Sequence, residues 1–261
     1  MQAILKADRF IVLIVSLLLV AGIPGCAHRK EAHDRAIRAE IAYNTGVAYL
    51  NRGELIEALD SLLTALELEP ENSGVHNAIG LVYSGQGKHQ AAVDEFVAAM
   101  KIDDYPEYHN NLAQAYLMLN RPGDALEECD RALADQAYRT PGYAYFNKAM
   151  ALIKLDREPE AMEQLQTAVR RDPNADRPLY ELAVLQMKYN HLEEAIGNLQ
   201  LALKNNPSYH AAAHQLAVAY VQAGKPDLAC AQLNNIITKT AEGNPAHAKA
   251  RALAMQLCEG R

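Results

Sequence analysis

Side chains that could catalyse a reaction or bind a metal ion are sparse in this 261-residue sequence. His210 and His214 are four residues apart and would share one face of a helix, but no carboxylate accompanies them in the pattern. The adjacent acids Glu193 and Glu194 would point in different directions on a helix and cannot form one acid–base pair. A glycine-rich phosphate loop and a Cys-x-x-Cys pair are both missing. The sequence therefore predicts a protein that is not an enzyme and needs neither a metal nor a cofactor.

Cys26 has the clearest chemical role, because of the residues that precede it. Two basic residues lead into an apolar run from Phe10 to Val20, and Ile23-Pro24-Gly25-Cys26 follows. The run is too short for a permanent transmembrane helix and is typical of an export signal. An aliphatic residue, small residues and then a cysteine resemble a bacterial lipoprotein signal, in which the cysteine becomes the lipidated N-terminus. An ordinary signal peptide with an incidental cysteine is the alternative.

The lipoprotein interpretation predicts how the mature chain is attached to a membrane. Residues 1–25 would be removed as the signal peptide, and residues 26–38 would form a polar, lipidated tether. Each buried CH₂ group of an acyl chain contributes about 0.8 kcal/mol, so two or more chains attach a protein stably to a membrane. Ala27 stands where an aspartate would resemble an inner-membrane retention signal. We therefore expect an outer-membrane protein that is lipid-anchored and faces the periplasm.

The three remaining cysteines would lie in an oxidising compartment, where an odd number cannot all pair. Cys230 lies early in a predicted helix, and Cys258 lies late in the closing segment of the chain. Antiparallel packing of these two helices would bring the sulfur atoms together, so a disulfide between Cys230 and Cys258 and two buried free thiols both remain open. Cys129 falls at a core position and is predicted to act as an inert apolar residue.

A repeat of about 34 residues organises most of the sequence. In the first copy a small residue, Gly46, is followed by Tyr49, Gly53 and Leu62, and Pro70 closes the copy. This pattern resembles the tetratricopeptide repeat, in which each unit is a hairpin of two helices. Neither helix of such a hairpin could bury its apolar stripe alone, so the copies must stack. The repeat is marked by six alanines at spacings of 34, 33, 36, 34 and 34 residues: Ala58, Ala92, Ala125, Ala161, Ala195 and Ala229.

The resemblance implies an all-α fold. We expect a right-handed superhelix of six tetratricopeptide-type helical hairpins that occupies residues 39–240, with a C-terminal capping helix at 244–261. The third and fourth copies match the pattern least well. The individual copies are predicted at 39–72, 73–105, 106–141, 142–175, 176–209 and about 210–243.

Composition restricts the class of partner. The sequence carries 25 basic and 32 acidic residues, which gives a formal net charge of −7. Nucleic acids attract basic surfaces, so an acidic chain of this kind argues against a nucleic-acid partner. Tryptophan is absent and there are 3 phenylalanines, so few of these aromatic side chains are available to stack on sugars or bases. A protein partner is the expectation.

In repeats of this kind, the first helix of each hairpin lines the concave surface. The lining positions are largely polar in the second and third copies and mostly apolar in the fourth to sixth. An exposed apolar lining marks a protein-binding groove, and methionines there suit a docked amphipathic helix. The alternative is that these side chains pack on each other or on the closing helix. The predicted groove residues are Asn77, Leu81, Asn110, Gln114, Tyr143, Phe146, Met150, Ile153, Tyr180, Val184, Met187, Val218 and Val221.

Two groove residues give a direct expectation about substitutions. If Phe146 and Met187 are exposed, then Phe146→Glu or Met187→Glu should abolish partner capture without unfolding the chain. Loss of helicity in either variant would show instead that these side chains belong to the core.

A lipid-anchored chain of six such repeats resembles the type IV pilus pilotins, which are outer-membrane lipoproteins that help a secretin subunit reach the membrane and form its ring. The most specific local likeness is the segment from Ala134 to Pro141, which is similar to the stretch between the third and fourth repeats of those proteins. The resemblance implies a secretin subunit as partner. A general periplasmic scaffold for cell-wall enzymes, or a subunit of a polysaccharide-export machine, would share the fold and the anchor.

Overall fold

The computed structural model describes the backbone of residues 24–258 and the side chains of residues 29–258. Residues 1–23 of the predicted signal peptide and the side chain of Cys26 lie outside this described part. The described chain forms thirteen α-helices, and the all-α repeat architecture predicted from the sequence is confirmed. Between residues 24 and 258, none of these helices has the length and apolar character needed to cross a membrane.

The helices follow one another with short connections. Residues 26–38, predicted as a tether, lie in the first helix together with the start of the first repeat. The bounds are α1 Pro24–Asn51, α2 Leu55–Leu68, α3 Ser73–Gly85, α4 His89–Ile102, α5 Pro106–Met118, α6 Pro122–Ala134, α7 Pro141–Lys154, α8 Glu158–Arg171, α9 Asp176–Lys188, α10 Leu192–Asn205, α11 His210–Gln222, α12 Pro226–Lys239 and α13 Pro245–Leu257.

The chain divides into two compact units, one up to Asp104 and one from Tyr105 onward. In the first unit, helices α1 to α4 form two hairpins, and α2 packs against α3. In the second unit, α5 to α12 form four hairpins that stack in chain order, and α13 packs against α12. Within each unit, each hairpin therefore buries part of its apolar surface against the next one, as repeat proteins require.

A contact between one small and one larger residue holds each hairpin together. In the first hairpin, a Cβ added to Gly46 would lie 2.6 Å from Leu62 Cγ. In the second, a Cβ added to Gly80 would lie 2.5 Å from a ring carbon of Phe96. The later hairpins have alanine at the small position. The larger partners are all fully buried, at 0% exposure: Leu62, Phe96, Cys129, Leu165, Leu199 and Leu233.

Cys129 is the larger residue of this contact in the third hairpin. It packs with Ala113, Ala125 and Ala151 and forms no disulfide. Burial raises the pKa of its thiol to about 12, so the thiol stays protonated at neutral pH. A protonated, inaccessible thiol is unreactive, and Cys129 serves as a small apolar core residue.

The second and third hairpins add a polar contact between their helices. His76 Nδ1 lies 2.7 Å from Glu95 Oε2 in one, and His109 Nδ1 lies 2.5 Å from Glu128 Oε2 in the other. The side chains of His109 and Glu128 are each 9% exposed. Each supplies a hydrogen-bond partner for the other, whose polar atoms would otherwise be costly to bury.

The turn inside each hairpin contains one residue with a left-handed backbone. Three of the six are the glycines Gly53, Gly87 and Gly224, with φ of 76°, 74° and 68°. The other three, at the equivalent positions, are Asn120, Asp156 and Asn190, with φ of 56°, 58° and 62°. Asparagine and aspartate tolerate this conformation better than other side chains, because they hydrogen-bond locally. The same turn is therefore made with two kinds of residue.

A disulfide joins the last two helices. Cys230 in the first part of α12 is bonded to Cys258, which follows α13, and their Cα atoms are 6.0 Å apart. Leu233, Ile236 and Ala250 pack into the same small core. The closing helix is thus held both by apolar packing and by a covalent bond.

Two matched glycine substitutions test backbone strain without a change in packing. A Cβ at Gly87 or at Gly123 would have no neighbour within 4 Å, but only Gly87 has a positive φ. We expect Gly87→Ala to lower the free energy of unfolding by about 1 kcal/mol. Gly123→Ala, within α6, should instead raise it by about 0.5 kcal/mol, because alanine favours the helix. Urea denaturation followed by circular dichroism measures both, and shifts of the same sign would contradict the assignment of the turn.

Removal of the disulfide gives a second prediction. The bond closes a loop with a sequence separation of 28 residues. Replacing both Cys230 and Cys258 by serine should lower the free energy of unfolding by about 3 kcal/mol, because the unfolded chain regains loop entropy. A reducing agent should reproduce this loss in the native chain and leave the double variant unchanged. Equal stability of the native chain with and without reductant would show that the bond adds nothing.

Candidate partner-binding surface

The first helices of the hairpins carry all thirteen predicted groove residues. In the first unit, Asn77 and Leu81 lie on α3 and are both half-buried. In the second unit, Asn110 and Gln114 lie on α5, and the apolar members follow on α7, α9 and α11. In the second unit these residues lie on the first helices of successive stacked hairpins. Together they therefore form a stripe that runs across those helices.

Most apolar members of this stripe are partly exposed. Met150 and Ile153 pack against the core around Leu165, and Val218 and Val221 pack against the core around Leu199. Each keeps part of its side chain accessible, as do Tyr180 and Val184, whereas Tyr143 is 61% exposed. We call the half-buried set the apolar stripe: Met150, Ile153, Tyr180, Val184, Val218 and Val221.

The expectation for Phe146 and Met187 is wrong. Each is only 7% exposed and belongs to a buried core cluster of the second unit. The guanidinium carbon of Arg177 lies 5.0 Å from the centre of the Phe146 ring and covers it further. A glutamate at either position would therefore place a charge in the core, so these substitutions would unfold the chain and not test a groove.

One of the two polar groove residues of the second unit, Asn110, is already engaged within that unit. Asn147 Nδ2 donates to Asn110 Oδ1 at 3.0 Å, and Asn147 is 8% exposed. This hydrogen bond links α7 to α5 and fixes the side chain of Asn110. Gln114, one turn further along α5, is exposed. Of these two polar residues, Gln114 is the one placed to meet a partner.

The far end of the apolar stripe opens into a cavity of about 640 Å³ beside the closing helix. His214 and Val218 of α11 and Lys249 and Leu253 of α13 line it. Burial and the nearby ammonium group of Lys249 lower the pKa of His214, so this side chain is neutral at pH 7. Within the described chain, no cluster of three or more histidine, cysteine, aspartate or glutamate side chains is arranged to hold a metal.

The segment between α6 and α7 is fixed by its own side chains. Tyr138 is 7% exposed and packs with Ala132 and Ala144, and burial raises the pKa of its hydroxyl. The Ala137 N–H donates to Asp135 Oδ1 at 2.7 Å, which forms a local turn. The segment from Ala134 to Pro141 therefore has a defined shape and is attached to the core through one tyrosine. It carries Arg139 and Thr140 to the surface just before α7 begins at Pro141.

Four family profiles match this chain, and all describe the tetratricopeptide repeat. They cover residues 46–87, 77–142, 142–175 and 190–258. Proteins of this repeat class bind protein partners and are typically not enzymes.

Sequence comparison finds the type IV pilus assembly protein PilF of Pseudomonas aeruginosa PAO1, which is 24% identical over 184 residues, or 66% of this chain and 71% of that protein. The solved structure of P. aeruginosa PilF matches with a TM-score of 0.74 at 18% identity and covers 84% of this chain and 99% of that one. The crystal structure of PilW, described as a widely conserved type IV pilus biogenesis factor, matches with a TM-score of 0.73 at 20% identity and covers 82% and 97%. These structural likenesses show a shared fold, and together with the four profile matches they establish that this chain is a tetratricopeptide repeat protein.

Proposed function

We propose that this protein is an outer-membrane lipoprotein that binds a secretin subunit and assists its membrane targeting and multimerisation in type IV pilus assembly. The observation that carries the proposal is the likeness to PilF, which extends over most of the helical array in both sequence and structure. The apolar stripe of the second unit supports it, because it supplies a surface on which a protein segment can be buried.

The apolar stripe suits a docked helix for two reasons. Its side chains come from three parallel first helices of stacked hairpins, so they are held at fixed spacing by the cores beneath them. Met150 adds an unbranched side chain that adapts to irregular surfaces. A surface that is ordered before binding loses little conformational entropy when a partner docks. The expected chemistry is adhesion without turnover.

Attachment to the membrane would act through Cys26. Helix α1 begins at Pro24 and continues to Asn51, so the backbone is helical from the proposed lipidation site into the first hairpin. At a rise of 1.5 Å per residue, the stretch from Cys26 to the first repeat at residue 39 spans about 20 Å. Acyl chains on Cys26 would therefore hold the first hairpin at about this distance from the membrane surface.

The proposal predicts a dependence of the secretin on this protein. In membranes from cells that lack the protein, heat-resistant secretin multimers should disappear. In cells that carry the Cys26→Ala form, the secretin should be mislocalised, because the partner is captured but not attached to the outer membrane. Gel analysis of fractionated membranes measures both effects. Unchanged multimers in both strains would refute the pilotin role and favour a general periplasmic scaffold.

The apolar stripe gives a second prediction. The double variant Val184→Gln and Val218→Gln should reduce capture of the secretin subunit about tenfold or more, because two apolar contacts are replaced by side chains that keep the helix and prefer water. Its thermal unfolding should stay within a few degrees of the native chain. The matched control, Phe146→Glu, should instead lose its cooperative unfolding transition. Full capture by the valine variant would place the binding surface elsewhere.

A further inference from the structure

A cavity of about 600 Å³ lies in the second unit, next to the segment between α6 and α7. Tyr143 and Phe146 of α7 and Pro141 and Pro178 form its apolar walls, and the last turn of α8 closes one side. Since Tyr143 is 61% exposed while Phe146 is almost covered, the cavity has one accessible aromatic ring above a buried one. Its walls can bury an apolar side chain of a ligand.

The charges around this cavity are arranged unusually for an acidic chain. Three arginines from three different elements line it, Arg139, Arg171 and Arg177, and all three are exposed. None of them forms an ion pair with a carboxylate of the described chain. Arg121 and Arg157, by contrast, each have a carboxylate partner: Arg121 bonds Asp124 at 2.7 Å and Arg157 bonds Glu160 at 2.6 Å. Glu181, one turn along α9, interacts electrostatically with Arg177 but forms no ion pair with it. The N–H edges of the three guanidinium groups therefore remain available for an anion.

The two aspartates of the lining already have partners. Asp172 Oδ1 accepts the Asn174 N–H at 3.0 Å, and Asp176 Oδ2 accepts a hydrogen bond from Asn206 Nδ2 at 2.6 Å. The first contact lies in the turn before α9, and the second joins the start of α9 to the end of α10. Three arginines against two engaged aspartates leave the cavity with one net positive charge, in a chain whose formal net charge is −7.

Arg177 is held in place before any ligand arrives. Its guanidinium carbon lies 5.0 Å from the centre of the Phe146 ring, a cation–π arrangement. A guanidinium group that stacks on a ring keeps its N–H edges free, and those edges match both oxygens of a carboxylate. The stacking also reduces the conformational entropy that binding would otherwise cost.

We propose that this cavity binds an acidic peptide segment of a partner protein, with aspartate or glutamate carboxylates on the arginines and an adjacent apolar side chain against Tyr143. The inference rests on the proposed function, since it names the chemistry of the segment that the second unit recognises. A peptide fits better than a nucleic acid, because the overall negative charge of the chain repels a polyanion while a short acidic segment meets only the local arginines.

The test uses the full chain in detergent micelles and a fluorescein-labelled peptide of alternating aspartate and leucine. A control peptide has asparagine in place of every aspartate. Fluorescence anisotropy should show that the acidic peptide binds more tightly than its control, and that added salt weakens this binding. The double variant Arg139→Gln and Arg177→Gln should weaken binding at least about tenfold, as expected for the loss of charge-assisted contacts. The control variant Arg251→Gln, which removes one positive charge on α13, should bind like the native chain.

Three results would overturn the proposal: equal binding of the two peptides, an equal effect of Arg251→Gln, or tighter Arg177-dependent binding of a single-stranded oligonucleotide. Secretin capture distinguishes this inference from the proposed function. If the arginine variant captures the secretin normally while the acidic peptide does not bind, the cavity assignment fails and the proposed function stands. If the peptide binds in an arginine-dependent manner but the secretin is never captured, the cavity stands and the secretin assignment fails.

Discussion

The contact between a small residue on the first helix and a larger residue on the second is the constraint on which each hairpin depends. At Gly46 and Gly80 the helices approach so closely that a single methyl group would overlap the partner side chain. This approach lets both helices share one core, although neither has enough apolar surface to be stable alone. In the third hairpin the larger residue is itself small, because Ala113 pairs with Cys129. The contact is kept, but its two side chains fill less volume. The stacked hairpins can carry a binding surface because this contact is satisfied in each of them.

The hairpins could be predicted because a contact made six times leaves six copies of the same residue pattern. The turns were only partly predictable. Glycine at Gly53, Gly87 and Gly224 indicates a left-handed backbone, but Asn120 and Asp156 do not, since these residue types are also common on exposed surfaces. For the cysteines, the sequence left a disulfide and two free thiols both open, and the structure joins Cys230 and Cys258. Local pattern was sufficient wherever the determining contact was local.

The candidate surface was harder to predict, because the position of a residue on a helix does not say how much of it the neighbouring hairpin covers. Phe146 has the register of a groove residue, yet Arg177 from the next hairpin lies over it. The cavity beside it leaves no periodic signal, since Arg139, Arg171 and Arg177 come from a loop and two helices that only the folded chain brings together. Side chains that act across hairpins therefore require the structure, whereas those that build a hairpin do not.

The disulfide between the last two helices makes that part of the array harder to unfold than the rest. Repeat arrays lose structure from their ends, where a hairpin has a neighbour on one side only. If α13 detaches, the bond between Cys230 and Cys258 keeps it beside α12, so it can dock again before the rest of the array opens. A protease needs an extended stretch of chain in its active site, and the disulfide-bonded helices α12 and α13 rarely unfold far enough to provide one. Turnover of the folded protein is then expected to begin in a connection between hairpins or at the first helix, and the closing helix should be among the last parts degraded.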